Sequence, residues 1–266
     1  MLKVGISGIM GRMGRKIVEL SLNEKDLLIT AGIESPDCAH YHGTVGELLK
    51  IENSSPITSD LSEILDKIDV LIEFSSSQEA ALGHLRILAA DRKAAVVGTT
   101  GFDSRALSEI KELSKDIPIV FTPNMSVGVN LLFKLVEKAA SVLKDKGFDI
   151  EVIEMHHRYK KDAPSGTAVK IVDILKAQTG IENVVYGREG ITGERNSREI
   201  GVFALRGGDV VGEHTVIFAS HGERIEITHR ATSRDIFAKG ALEAAKWAIN
   251  QKPGLYDMMD VLGLNG

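Results

Sequence analysis

Between positions 154 and 168 the chain reads Glu-Met-His-His-Arg-Tyr-Lys-Lys-Asp-Ala-Pro-Ser-Gly-Thr-Ala, with almost nothing apolar to bury. Ionisable groups this dense suit a loop that presents charge to a ligand, because a core segment would have to pair every one of them. Composition alone allows a merely solvated charged loop equally well. The order of residues favours a site. Ile150, Val152 and Ile153 read as a strand and Ala168, Val169, Ile171, Val172 and Leu175 as a helix, so the loop joins a strand's carboxyl end to a helix start. Histidine titrates near neutrality, which makes His156 a candidate proton donor and Lys160 a second donor or anion ligand. Consecutive side chains diverge at a strand end, so only one of His156 and His157 needs to face a ligand. Pro164, Ser165, Gly166 and Thr167 open the helix with backbone amides and two hydroxyls, a nest for a carboxylate. The whole set suits a small substrate with two carboxylates.

A second constellation lies at the start of the chain. An apolar run over 2–7 leads into Gly8-Ile9-Met10-Gly11-Arg12-Met13-Gly14, and a helical pattern follows through Ile17, Val18 and Leu20. The spacing G-x-x-G-x-x-G departs from the G-x-G-x-x-G dinucleotide fingerprint. The physical requirement is the same, since small residues let the backbone approach a pyrophosphate at a helix N-terminus. A second run, 27–33, ends in Glu34, twenty residues after Gly14, where a carboxylate can bind ribose hydroxyls. Ser35 follows in place of an arginine, which favours NADH over NADPH, although Arg12 remains available to a 2′-phosphate.

Strands and helices then alternate. A run over 69–74 ends in Phe74 and Ser75-Ser76-Ser77, with a helix at 78–90; a strand at 94–97 closes in Gly98-Thr99-Thr100-Gly101, with a helix at 104–115; a strand at 117–121 ends in Thr122-Pro123-Asn124-Met125-Ser126. Repeated β-α-β units imply a parallel sheet that binds ligands beyond the carboxyl ends of its strands. Phe74, Ser75, Gly98, Thr99, Thr100, Thr122, Pro123, Asn124 and Met125 are therefore cofactor-site candidates. Beyond 126 come a helix at 129–143, a strand at 148–155, a helix to 178, and apolar alternations at 200–205, 210–219 and 224–228, with Gly207-Gly208 and Gly222 in hairpin-like positions. The expected class is α/β: a Rossmann-like parallel-sheet domain over 1–126 and 236–266, and an α+β domain with an open mixed sheet over 127–235. The helical pattern at 236–249 returns to the first domain, and 181–198 reads as a mobile or oligomer-forming loop.

With 43% hydrophobic residues, 266 residues can build a sizeable core, while a net charge of −5 disfavours a nucleic-acid partner. No apolar run is long enough for a bilayer, the opening residues lack a signal pattern, and the single cysteine, Cys38, fits a reducing compartment, so a cytoplasmic protein is expected. A metal site is not expected: neither His-Glu-x-x-His nor Cys-x-x-Cys occurs, and Cys38, His40 and His42 read as a chance cluster in a polar loop.

Five segments together resemble the dihydrodipicolinate reductase (4-hydroxy-tetrahydrodipicolinate reductase) family: the Gly8 loop, Gly98 to Gly101, Asn124-Met125-Ser126-Val127-Gly128-Val129-Asn130, the Glu154 to Ala168 run, and Arg206-Gly207-Gly208-Asp209-Val210-Val211-Gly212-Glu213-His214. The resemblance spans nearly the whole chain. It implies hydride transfer from NADH or NADPH to a cyclic dicarboxylate, with His156 exchanging protons and Lys160 as a second donor. It places substrate on His157, Ser165, Gly166, Thr167 and Thr100. The cofactor falls along Gly8, Ile9, Met10, Gly11, Arg12 and Met13, with Glu34, Phe74, Ser75, Gly98 to Thr100 and Thr122 to Met125. A homotetramer built through the second domain's sheet is also implied. Ser35 and Thr122-Pro123 depart from residues found in other members. An NAD-dependent amino-acid dehydrogenase of similar architecture and a non-catalytic nucleotide sensor are the alternatives.

Overall fold

The computed structural model describes residues 1–38 and 43–265; His40 and His42 lie outside them. In chain order the elements begin β1 (Leu2–Ser7), α1 (Arg12–Ser21), β2 (Leu27–Ile33), α2 (Val45–Leu49), β3 (Ile57–Thr58), β4 (Val70–Glu73) and α3 (Gln78–Ala90). They continue with β5 (Ala94–Val97), α4 (Ser104–Leu113), β6 (Pro118–Phe121), α5 (Val127–Leu143), β7 (Asp149–His156), α6 (Gly166–Thr179), β8 (Val184–Tyr186) and β9 (Ile200–Arg206). Last come β10 (Gly212–Ser220), β11 (Glu223–Ala231), α7 (Asp235–Ala248), β12 (Gly254–Tyr256) and α8 (Met258–Val261). The chain divides into two compact units, Met1–Val127 with Asp235–Gly266, and Gly128–Arg234.

The first unit holds a parallel sheet in the order β12-β6-β5-β4-β1-β2-β3. Its middle strands β4 and β5 are buried at every residue, as strands covered on both faces must be, which is why they read as unbroken apolar runs. One face packs Val4, Ile6, Ile17, Val18, Ala241 and Ala245 together; the other packs Leu71, Leu85, Leu88, Ile110 and Ile119. Strand order reverses between β1 and β4, the switch point at which open sheets of this kind leave a crevice. Ser77 and Asp103 cap α3 and α4 by accepting the amides of Ala80 and Ala106. The glycine turn is shorter than the sequence suggests, because Arg12 and Met13 already belong to α1. Strands β3 and β12, only two and three residues long, carry no periodicity that a sequence could display.

The second unit is a mixed sheet in the order β11-β10-β7-β9-β8, antiparallel at β11-β10 and β10-β7 and parallel at β7-β9 and β9-β8. Gly222 does sit in a hairpin, where Ser220 pairs with Glu223. Gly207-Gly208 does not. Strands β9 and β10 flank β7 on opposite sides, so the link between them crosses the end of β7, where the Gly207 amide donates to the His156 carbonyl (3.0 Å) and the Arg158 amide to the Gly208 carbonyl (3.2 Å). The alternating pattern says which residues are strand but not which strands pair. The expectation of a loop throughout 181–198 is also corrected. It contains β8, and two arginines fasten the rest: Arg188 to Glu199 and Glu151 (2.7 and 3.0 Å), Arg195 to Asp149 and Glu151 (2.8 Å each).

Two helical glycines test the packing. A Cβ on Gly240 would fall 1.7 Å from the Met125 carbonyl oxygen, whereas one on Gly83 would meet nothing. Gly240→Ala should lower unfolding stability by about 1–3 kcal/mol, and Gly83→Ala should raise it by about 0.5–1 kcal/mol, in urea titrations.

Candidate active site

In the first unit the carboxyl ends of β1, β2, β4 and β5 build one polar rim. Gly8 has φ +71°, and a Cβ there would lie 2.8 Å from the Phe74 carbonyl oxygen, so the turn after β1 can lie against the turn after β4 only as glycine. The N-terminus of α1 has Gly11 as its cap and no side-chain cap bond, which leaves its dipole and amides to an anion. Glu34 stands beside this turn and accepts the Met10 amide (3.0 Å) and the Ser35 amide (2.9 Å). Ile9 and Met125 are buried in the core, so only their backbones can reach a ligand. Thr99 is buried and donates to the Ser75 carbonyl (2.8 Å), tying the turns after β4 and β5. Thr122 is buried and Pro123 exposed, and Thr100 lies exposed on the turn whose carbonyl accepts the Gln78 amide group (3.2 Å).

Beneath that rim lies a residue the sequence reading missed. Glu73 is wholly buried, bonds His84 Nδ1 at 2.6 Å and accepts the Ser75 amide at 2.7 Å. Burial pushes its carboxyl up, but the bonds from His84 and Ser75 outweigh that and hold it below the usual range.

The second unit centres on another buried carboxylate. Burial alternates along β7, placing Ile150, Val152, Glu154 and His156 on the face against which α6 packs Ala168, Ile171, Val172 and Leu175. Glu154 has no exposed surface, and its two oxygens accept both terminal nitrogens of Arg206 (2.8 Å each), His156 Nδ1 (2.6 Å) and the Ser165 amide (2.9 Å). Burial raises its pKa; the bonds from Arg206, His156 and Ser165 lower it further than burial lifts it. His156, 9% exposed, lies below its ordinary value because burial disfavours the cation and Lys160 and Arg206 add repulsion, with Glu154 acting the other way. Its ring meets His214 edge to face at 5.2 Å between centroids. His214 is pushed down to about 4, chiefly by burial and then by His156.

The structure thus brings His156, Ser165 and Lys160 around the end of β7, with Lys160 paired to Asp162 at 2.9 Å. His157 is half-buried and Arg234 reaches its Nε2 at 3.4 Å. Ser165 is held by its neighbours. Its hydroxyl accepts the Ala168 amide (3.2 Å) and lies 3.0 Å from His214 Nε2, and its amide donates to Glu154, so it holds the turn at the head of α6. Gly166 is exposed and Thr167 half-buried. Arg158, Tyr159 and Lys161 are exposed. Glu154, Arg206 and His214 were missed as site residues. The available signal was a Glu two positions before His156 on an otherwise apolar strand face.

A doubly wound parallel sheet with an uncapped glycine turn, and a mixed-sheet unit with a carboxylate-bound histidine at a strand end, define a two-unit α/β protein whose first unit is of the Rossmann type. The family models described as dihydrodipicolinate reductase N-terminus and C-terminus match residues 2–125 and 128–262. The chain belongs to the dihydrodipicolinate reductase family. It is 55% identical to the 4-hydroxy-tetrahydrodipicolinate reductase of Aquifex aeolicus over 98% of this chain and 99% of that one. It is 46% identical to that of Thiobacillus denitrificans over 98% of both. Among solved structures it resembles dipicolinate-bound dihydrodipicolinate reductase from Paenisporosarcina sp. TG-14 in fold, with TM-score 0.79, 23% identity and 98% of each chain covered.

The histidines set a pH dependence. His214 stays neutral in the fold down to about 4 but takes a proton near 6.5 when unfolded, so the unfolded chain binds more protons between those values. Stability present above pH 6.5 is lost as pH falls through this window, on the order of 3 kcal/mol for His214 alone. Denaturant titrations at pH 7.5 and 4.5 should show the loss, and His214→Gln should shrink it; an unchanged pH dependence in that variant would refute burial of a neutral His214.

Proposed function

We propose that this chain reduces 4-hydroxy-tetrahydrodipicolinate to tetrahydrodipicolinate with NADH or NADPH, in lysine and diaminopimelate biosynthesis. One observation carries the reading: a buried carboxylate–histidine pair at the end of β7, in a chain matched by the family along both halves. The uncapped N-terminus of α1, the Gly8 turn and Glu34 suit a dinucleotide, so residues 1–126 and 236–266 hold the cofactor on Gly8 to Met13, Glu34, Phe74, Ser75, Gly98 to Thr100 and Thr122 to Met125. Residues 127–235 hold the substrate and the subunit contacts.

When bound, the reduced nicotinamide supplies the hydride. The balancing proton comes from the protein, through His156 and Lys160. His157, Ser165, Gly166 and Thr167 bind a substrate carboxylate, with Ser165 also fixing their turn. Glu34 followed by Ser35 favours NADH, since a carboxylate attracts ribose hydroxyls and repels a 2′-phosphate. A homotetramer is supported by the open face of the second sheet, where Ile153, Met155, Phe203, Leu205 and Ile217 stay partly exposed. Among the described residues no helix is long and apolar enough to cross a membrane, and we place the enzyme in the cytoplasm.

The protein should oxidise NADH when given the fresh condensation product of pyruvate and aspartate semialdehyde; no loss of absorbance with either cofactor would defeat the reading. His156→Gln should lower kcat about 10²-fold or more, and Thr167→Ala should chiefly raise substrate KM. Glu34→Ala should weaken NADH more than NADPH, and equal effects would remove Glu34 from the ribose site.

A further inference from the structure

The hydrogen bonds around His156 leave one consistent assignment of its ring proton. Glu154 accepts two bonds from Arg206 and one from the Ser165 amide, all from groups that can only donate, so it is an ionised acceptor and the 2.6 Å contact must be His156 Nδ1–H donating to it. Arg206 in turn is fixed by its own second contact, Nη2 to the Asp162 carbonyl at 2.6 Å, so the fork cannot swing away from Glu154. At the other end of the ring, Nε2 is the atom nearest to where a Cβ on Gly212 would stand, at 3.0 Å, so position 212 of β10 places no side chain against it.

We propose that Arg206 and Glu154 are positioning residues for proton transfer at His156: the bidentate clamp locks the imidazole as its Nδ1–H tautomer and presents Nε2 as the exchanging atom on the Gly212 side. The inference rests on the assignment of His156 as the proton-exchanging residue and assigns the atom and the device that sets it. A carboxylate standing alone against a histidine favours the imidazolium. Here Arg206 neutralises that carboxylate, so it orients the ring without forcing a charge on it. The remaining groups around the ring are His214 from β10, held neutral, Ser165 at the head of α6, and Lys160 with Asp162 from the loop. Among the described residues, Lys160 acts on the ring as a cation without a bond to Glu154. Resting His156 is then neutral, and Nε2 takes a proton from solvent and gives it to the substrate, returning the ring to its neutral form.

The test is tautomer-resolved NMR of protein labelled with ¹⁵N-histidine, together with steady-state kinetics. Wild-type His156 should show a protonated Nδ1 and an unprotonated Nε2 at pH 7.5. Glu154→Gln can offer an amide N–H to Nδ1, and it should shift the proton to Nε2 and lower kcat about 10²-fold with cofactor KM within about twofold. Arg206→Met leaves Glu154 alone against the ring, so it should raise the imidazolium population, with both ring nitrogens protonated at pH 7.5, and lower kcat, and Arg206→Lys, which keeps the charge but not the fork, should recover the rate in part. A resting Nε2–H tautomer in the wild type would overturn the proposal, as would kcat within about threefold of wild type in Glu154→Gln. Should Arg206→Met fail to fold, Glu154→Gln and Arg206→Lys still decide. A wild type inactive with both cofactors would defeat the assigned reaction, and the NMR assignment of the clamp would stand or fall separately.

Discussion

A carboxylate with no exposed surface cannot remain charged unless the fold supplies donors to it, and Glu154 obtains them from three separate elements. Arg206 comes from the end of β9, His156 from two residues along β7, and the Ser165 amide from the head of α6. Satisfying one side chain therefore fixes the parallel register of β9 on β7, the angle at which α6 starts, and the rotation of the histidine ring. The same bonds that keep Glu154 ionised hold the proposed site in shape. Removing any one donor would leave part of a buried charge unpaired, which makes the cluster's chemistry and the unit's stability hard to separate.

The first unit contains a parallel arrangement with different surroundings. Glu73, also fully buried at a strand's carboxyl end, bonds an imidazole Nδ1 through one oxygen and a backbone amide two residues on through the other. Its histidine, His84, comes from α3, and no arginine joins the carboxylate. There the carboxylate fixes the turn at Ser75, and Ser75 accepts Thr99 from the neighbouring strand end. Both sheets thus stabilise an irregular polar rim by placing one ionised group beneath it, where amides that no strand partner can satisfy find an acceptor.

Much of this was legible beforehand because it depends on local order. The runs at 2–7, 27–33 and 94–97 coincide with β1, β2 and β5, since strands covered along most or all of their length are largely apolar. The glycine spacing and Glu34 marked the first strand ends, and the charged run marked the end of β7. The short β3 and β12 were not visible, because two or three residues cannot display a period. Gly207-Gly208 misled for another reason. It has the composition of a hairpin turn, yet it bridges two strands separated by β7.

By itself the sequence determined the class of fold, the histidine run as the centre of chemistry, and the family, because each is carried by residues close together along the chain. Tertiary structure alone decided that Ser165 holds a turn, that Glu154, Arg206 and His214 belong with His156, and that Gly212 leaves Nε2 uncovered. Those partners lie up to 58 residues from His156 in the chain, and only the strand order β10-β7-β9 brings them within bonding distance of one another. Hydrophobic periodicity specifies which face of a strand is buried; it carries no information about which strand lies beside it, and the site is made of that adjacency.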